Sequence, residues 1–255
     1  MGNGTYADAF PNLSIIAHTE TRTMMEGYLG AWYARHVKAI ERLKQQVATG
    51  QATHGKPLTP AQLSEARNDL SGEEQVVSKF PNFVPRLPDM TFEREMNLNL
   101  GNRPVEIKYL GRGNTPGDVV VFLPKERILI TGDIVVHPIP YLCSGYPSEW
   151  VQTLGRLIDL DPQTIIPGHG DVLHDLTYPR RVQKLLSDVV AEVRHSLYEQ
   201  GNGKPLDDIR KQVEREMNFD SLRREFDGGN PGNFDQSSAI QNCLLRNAYY
   251  EEVLR

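Results

Sequence analysis

The stretch Ile107–Tyr141, IKYLGRGNTPGDVVVFLPKERILITGDIVVHPIPY, constrains the fold more than any other part of this 255-residue chain. It contains two apolar, β-branched runs, Val119–Leu123 and Ile128–Ile130, bounded by Gly, Pro and charge. Runs of that length and type are buried strands rather than helices. Pro124-Lys125-Glu126-Arg127 joins them as a tight polar turn, so the two strands form a hairpin. The second strand leads into Thr131-Gly132-Asp133, which puts a carboxylate at its C-terminal end. Layered α/β folds build their sites at such ends.

Composition narrows the function classes. Hydrophobic residues make up 39% and charged residues 24% of the chain, as in ordinary globular domains. The net charge is -5 and there is no long basic run, which argues against a nucleic-acid partner. No apolar run approaches the roughly 18 residues of a membrane span. The first residues are polar and Gly-rich, without the basic and apolar regions of a signal peptide; localisation stays open. Two cysteines, Cys143 and Cys243, make no disulfide framework, although one bridge can form between them.

The rest of the chain places helices around these strands. Leu13–Ala17 reads as a short strand that needs neighbours. From Thr23 to about Val47 apolar residues recur at helical spacing, with Thr19 or Thr21 as N-cap. Thr59-Pro60 opens a second helix running to about Phe80, with Pro at the first helical position. Phe80–Asp89 is extended. Thr91–Glu93, Met96–Leu98 and Val105–Leu110 add strands, so Thr91–Asp133 holds about five, mostly antiparallel. Ser148–Leu160 is a helix that Ser148 can cap, followed by the buried strand Thr164–Ile166 and Pro167-Gly168-His169-Gly170. Further helices span Tyr178–Gln200, Leu206–Met217 and Ser237–Leu254, with a Gly- and Asn-rich turn at Gly228–Asn233.

Two strand-end motifs can carry chemistry, Thr131-Gly132-Asp133 and Pro167-Gly168-His169-Gly170. An Asp and a His from separate strand ends can ligate zinc, which takes carboxylate oxygen and imidazole nitrogen. The alternative is that Asp133 caps a turn and His169 bonds locally. His18 and His137 are weaker candidates, more readily explained as hydrogen-bonded or exposed side chains; His36, His54, His174 and His195 read as solvated. Gly111-Arg112-Gly113 lacks the Lys-Ser/Thr of a phosphate loop, and Ser144-Gly145 lacks the strand-to-helix elbow of a serine hydrolase. Cys143 reads as a buried or inert thiol. Tyr141, Tyr146 and Trp150 fit a substrate mouth, and Trp150 fits helix packing equally well.

The order GRGNTPGDVVVFLP, ITGDIV, IIPGHG resembles the second half of a metallo-β-lactamase-fold hydrolase over about Val105–Val172. The family carries Gly-His-Thr-x-Gly-Asp, then Thr-Gly-Asp, then Pro-Gly-His-Gly. The resemblance implies an α/β fold, an αββα sandwich with extra helices. It implies a zinc-dependent hydrolase with one or two metal ions, acting on a small-molecule substrate such as a β-lactam, thioester, lactone or phosphodiester. It casts Asp133 as the bridging ligand and His169 as a ligand of the second metal. Domain limits follow as a family-like part over 1–200, with a helical insert at about 23–80, and a helical extension over 201–255. The insert and the extension are expected to shape the pocket mouth or a dimer interface.

Two departures set further expectations. Asn114 stands where the first motif has its His. A neutral amide is a poor zinc donor but can orient water or substrate; Asn is equally a common turn residue. The family's main signature, His-x-His-x-Asp-His, is absent, and in relatives it lies just before a segment like Gly2–Ala7. The chain is therefore expected to lack the N-terminal strands and most metal ligands, so that activity is impaired, or the chain is a metal-free scaffold or binding protein. An exposed sheet edge and apolar surface are expected to cause self-association.

Overall fold

The structure, a computed structural model, describes residues 2–52, 55–80, 85–201, 203–226 and 240–254. The elements in chain order are α1 (Asn3–Ala9), β1 (Ile16–His18), α2 (Thr19–Thr49), α3 (Pro60–Lys79), β2 (Met90–Phe92), β3 (Glu95–Leu100), β4 (Arg103–Lys108), β5 (Val120–Leu123) and β6 (Ile128–Val136). They continue with α4 (Pro147–Asp159), β7 (Thr164–His169), α5 (Thr177–Gln200), α6 (Leu206–Glu216) and α7 (Phe219–Phe226). A π-helical turn at Ile240–Leu244 runs into α8 (Leu245–Val253). The chain divides into two compact units, Met1–Ile16 with Arg22–Met90, and Ala17–Thr21 with Thr91–Arg255.

The first unit is helical. Thr59 caps α3 as the sequence predicts, in a full capping box with Gln62 and with Pro60 at the first turn; this satisfies backbone donors that otherwise have no partner. Phe80 stacks against Trp32 and Tyr33, with ring centroids at 5.6 and 4.4 Å. His36 is not solvated as expected: it is half-buried, paired with Glu73 and 3.9 Å from the Trp32 ring. His54, which the sequence also places in solvent, lies outside the described residues, as does the Gly228–Asn233 turn. The polar, Gly-rich start of the chain forms α1, and Asn3 reaches the Arg86 carbonyl at 3.1 Å.

The second unit contains the strands that the hairpin sequence demands. Five strands lie in the order β3-β4-β5-β6-β7, antiparallel except for the β6–β7 pair. A parallel pair needs a long crossover, and α4 supplies it. Val120, Phe122, Leu129 and Ile165 point to one face and are buried there. Val120, Phe122 and Leu129 share one cluster with Trp150, Leu154 and Leu157 of α4, Val182, Leu186 and Val189 of α5, and the buried residues of α6, α7 and α8. On the other face the register aligns Ile107, Val121, Ile130 and Ile166 across four strands, and Ile130 and Ile166 are 39% and 37% exposed.

Several local expectations are corrected. Neither Thr19 nor Thr21 caps α2: the Nδ1 of His18 accepts the Glu20 N–H at 3.2 Å, while Thr19 donates to the Phe92 carbonyl and Thr21 to the Gly117 carbonyl. Ser148 sits inside α4 rather than ahead of it, because Pro147 already fits the first helical position. The two cysteines are not thiols. Cys143 and Cys243 form a disulfide across 100 residues of sequence.

Candidate metal and active site

Asp133 lies within β6 rather than at its end. The register between β6 and β7 shifts at Gly132, and the strand then continues through the buried Ile134 and Val135 to Val136. His169 is the last residue of β7, and its carbonyl accepts the His137 N–H at 3.1 Å. The parallel pairing brings the two side chains together: His169 Nε2 stands 3.6 Å from Asp133 Oδ1. Gly168 makes the room. A Cβ there would lie 2.2 Å from Asp133 Oδ1 and 2.7 Å from the Gly132 carbonyl carbon, so any side chain at 168 would displace the carboxylate.

The separation of 3.6 Å is longer than an N–H···O hydrogen bond. Two ligands of one tetrahedral zinc, each about 2.1 Å from the ion, stand about 3.4 Å apart. Both side chains reach solvent, at 72% exposed for His169 and 42% for Asp133. The pair thus has the chemistry and spacing of two zinc donors. A catalytic zinc takes three protein ligands and a water, and among the described residues no three His, Cys, Asp or Glu side chains converge. The described donors therefore fit part of a zinc site and not a complete one.

Asn114 does not join the pair as a free donor. It is buried, 6% exposed, and its Oδ1 accepts the Ser144 hydroxyl at 2.7 Å. The turn that carries it is anchored by Asp118, whose carboxylate accepts the Thr115 backbone N–H at 2.7 Å and the Thr115 hydroxyl. Burial pushes the Asp118 carboxyl above its usual range, opposed by these hydrogen bonds and reinforced slightly by the charge of Asp133. Asp118 was missed in the sequence, although Thr115-Pro116-Gly117-Asp118 carries the turn signal that could have found it. Ser144 has no such signal: it lies 30 residues from Asn114, and no local pattern links them.

His18 and His137 take structural places. His18 is buried, stacked on Tyr109 with centroids at 3.9 Å, and its Nε2 lies 3.0 Å from the Glu93 carbonyl. With Nδ1 accepting and Nε2 donating, the neutral ring is fully used. His137 sets its ring edge-on to Tyr178 at 4.8 Å. The Tyr178 hydroxyl lies 2.6 and 3.0 Å from the Val136 and Pro138 carbonyls, which fixes the chain just beyond the site. Trp150 is buried and donates to the Ile134 carbonyl at 3.2 Å, so its role is helix packing. Arg112 forms a forked pair with Glu149 and lies 4.3 Å over the Tyr146 ring.

Comparison with known proteins shows what the chain is similar to. The sequence profile of the metallo-beta-lactamase superfamily matches residues 1–169. The chain is 28% identical over 87 residues to the metallo-beta-lactamase type 2 of Elizabethkingia meningoseptica, covering 32% of this chain and 35% of that protein. It is 32% identical over 82 residues to the metallo-beta-lactamase type 2 of Bacillus cereus, covering 30% of this chain and 32% of that one. The matches thus span about a third of the length of these relatives. Among solved structures, the DIM-1 metallo-beta-lactamase is 24% identical, with 48% of this chain and 60% of that chain covered and a TM-score of 0.36. A metallo-beta-lactamase from Pontibacter korlensis is 18% identical, with 57% and 76% covered and a TM-score of 0.38. With residues 1–169 under the family profile, the chain belongs to the metallo-beta-lactamase superfamily.

Proposed function

We propose that this chain carries the Asp133–His169 part of a zinc-dependent hydrolase site and that its own hydrolytic activity is impaired. The observation that carries the reading is the pair itself, two solvent-reaching donors 3.6 Å apart at neighbouring strands, with Gly168 leaving space for the carboxylate. In such a site zinc, when bound, polarises a carbonyl or phosphoryl oxygen and activates a water. This chain's residues would hold it as two ligands, with Asp133 as the oxygen donor and His169 as the nitrogen donor. Asn114 supports substrate or water indirectly at most, because its amide oxygen is engaged by Ser144. The substrate is a small molecule of the classes the superfamily hydrolyses.

The incomplete donor set supports a second reading, a metal-free scaffold or binding protein that retains the fold. Zinc titration by calorimetry separates the two. One zinc bound per chain, lost in both Asp133→Ala and His169→Ala, supports the first reading. No binding supports the second, and binding that survives both changes counts against the first. The exposed Ile130–Ile166 pair supports self-association; a monodisperse monomer in light scattering would count against it. Among the described residues no helix is long and apolar enough to cross a membrane.

A further inference from the structure

The segment Leu142–Tyr146 is held from two sides. On one side it lies on the turn that carries Asn114. The Tyr146 N–H donates to the Gly113 carbonyl at 3.0 Å, and the Ser144 hydroxyl donates to Asn114 at 2.7 Å. The contact is backbone against backbone at Gly145, where a Cβ would stand 2.6 Å from the Gly113 oxygen and 3.2 Å from the Asn114 Cα. On the other side it is tied to the end of the chain. Cys143 is bonded to Cys243 in the π-helical turn, Arg246 donates to the Cys143 carbonyl at 3.0 Å, and Asn247 donates to the Leu142 carbonyl at 3.0 Å. One covalent bond and two hydrogen bonds therefore link the C-terminal helix to a strap whose far side sets the Asn114 turn.

We infer that the Cys143–Cys243 disulfide is a redox-removable clamp that holds the Leu142–Tyr146 strap on the Gly113–Asn114 turn, so that reduction by a dithiol loosens that turn. Neither cysteine is buried and Ser144 beside the bond is exposed, so a small dithiol reaches it. A thiolate of the reductant attacks one sulfur and expels the other as a thiolate. The reductant's second thiol then closes on the mixed disulfide. Two electrons pass from the dithiol, which leaves as a cyclic disulfide, and the protein gains two thiols. After reduction the strap keeps its hydrogen bonds and the buried Leu142 side chain but loses its covalent tie to the C-terminal end of the chain. The disulfide constrains a loop of 100 residues, the regime in which loss of a cross-link matters most. The inference stands apart from the metal reading, since it concerns the strap and not the Asp133–His169 pair.

The test is hydrogen–deuterium exchange of the full chain, oxidised and after reduction with dithiothreitol, without added metal. Thiol titration of the oxidised protein should find none free. On reduction, peptides covering 111–117 and 142–148 should exchange about tenfold faster or more, while those of β5, β6 and α5 keep their rates, as for a local opening. The double variant Cys143→Ser, Cys243→Ser should show the same pattern without reductant. Ser144→Ala, with the disulfide intact, should loosen 111–117 by less. Two titratable thiols in the oxidised protein would overturn the inference. So would faster exchange confined to 240–253, or an equal rise across the whole sheet, which would make the bond a general staple.

Discussion

The two compact units of this chain bury their apolar residues in opposite ways. In the second unit a sheet face and five helical segments enclose one cluster, in which Val120, Leu129, Leu154, Leu157, Leu186 and Val189 are fully buried. In the first unit, among the residues whose side chains are described, Leu43, Ala66 and Pro88 are the buried apolar ones. The long helices α2 and α3 instead present half-buried residues, a stacked aromatic group and ion pairs such as Lys44–Glu74 at 2.9 Å. Where burial is dense, tertiary packing decides the structure and single core atoms matter. Where burial is thin, local chemistry such as caps and helix propensity carries a larger share.

The largest effect should therefore come from the dense region. Leu186 is fully buried on α5 within the main cluster, and Leu186→Ala removes several buried methyl and methylene groups and leaves a cavity. A loss of about 3–5 kcal/mol is expected, at the upper part of the range for such changes. Denaturant unfolding measures it. A loss under about 1 kcal/mol, as at a site that collapses or is solvated, would break the contrast between the units.

In the thin region the corresponding lever is a cap. Thr59→Ala removes the acceptor for the Gln62 N–H and one half of the capping box on α3. The expected cost is about 1 kcal/mol, and Thr59→Ser should recover most of it. Exchange rates of the first turn of α3 are the direct readout. If Thr59→Ala changes them no more than an exposed substitution elsewhere on α3, local capping is not what holds this helix.

A third measurement sharpens the picture where burial and a site meet. The Asp118 carboxyl is raised above its ordinary 3.8 in the fold, first by burial. The folded chain then holds the proton more tightly than the unfolded one. Asp118 stability is highest below the unfolded pKa and falls as pH rises through the raised folded value. Asp118→Asn stays neutral and can still meet Thr115. Its stability relative to the parent should therefore be more favourable at pH 7 than at pH 4, by denaturant midpoints at both. An unchanged difference would mean that burial does not govern this carboxyl.

These contrasts also explain which features could be read from the sequence. The β5–β6 hairpin was legible because two β-branched runs flank a four-residue polar turn. The α3 start was legible because Thr59, Pro60 and Gln62 lie within one turn and act on each other. The donors Asp133 and His169 were legible as motifs, but their 3.6 Å approach depends on a register shift at Gly132 that no local pattern announces. The continuation of β6 to Val136 was missed for the same reason. α7 was missed although Phe219, Leu222 and Phe226 carry helical spacing. The Cys143–Cys243 bond and the Ser144–Asn114 contact join residues 100 and 30 apart. Such pairings follow from how helices and strands pack, which the sequence states only through the whole fold.

The smallest expected effect on stability falls on the residue around which the sequence is organised. Asp133 reaches solvent and lies 3.6 Å from His169, itself largely exposed. A contact between two exposed polar side chains of this kind contributes little. Against that small gain, the charge of Asp133 acts unfavourably on the half-buried Asp118. The two terms oppose each other, so Asp133→Ala should shift stability by no more than about 0.5 kcal/mol, as at ordinary surface sites. On the proposed reading the same change removes zinc binding altogether. A variant that keeps the parent's denaturant midpoint and loses zinc separates site from scaffold within one unit. A variant that unfolds instead would place Asp133 among the residues that hold the sheet together, and the case for it as a ligand would fall.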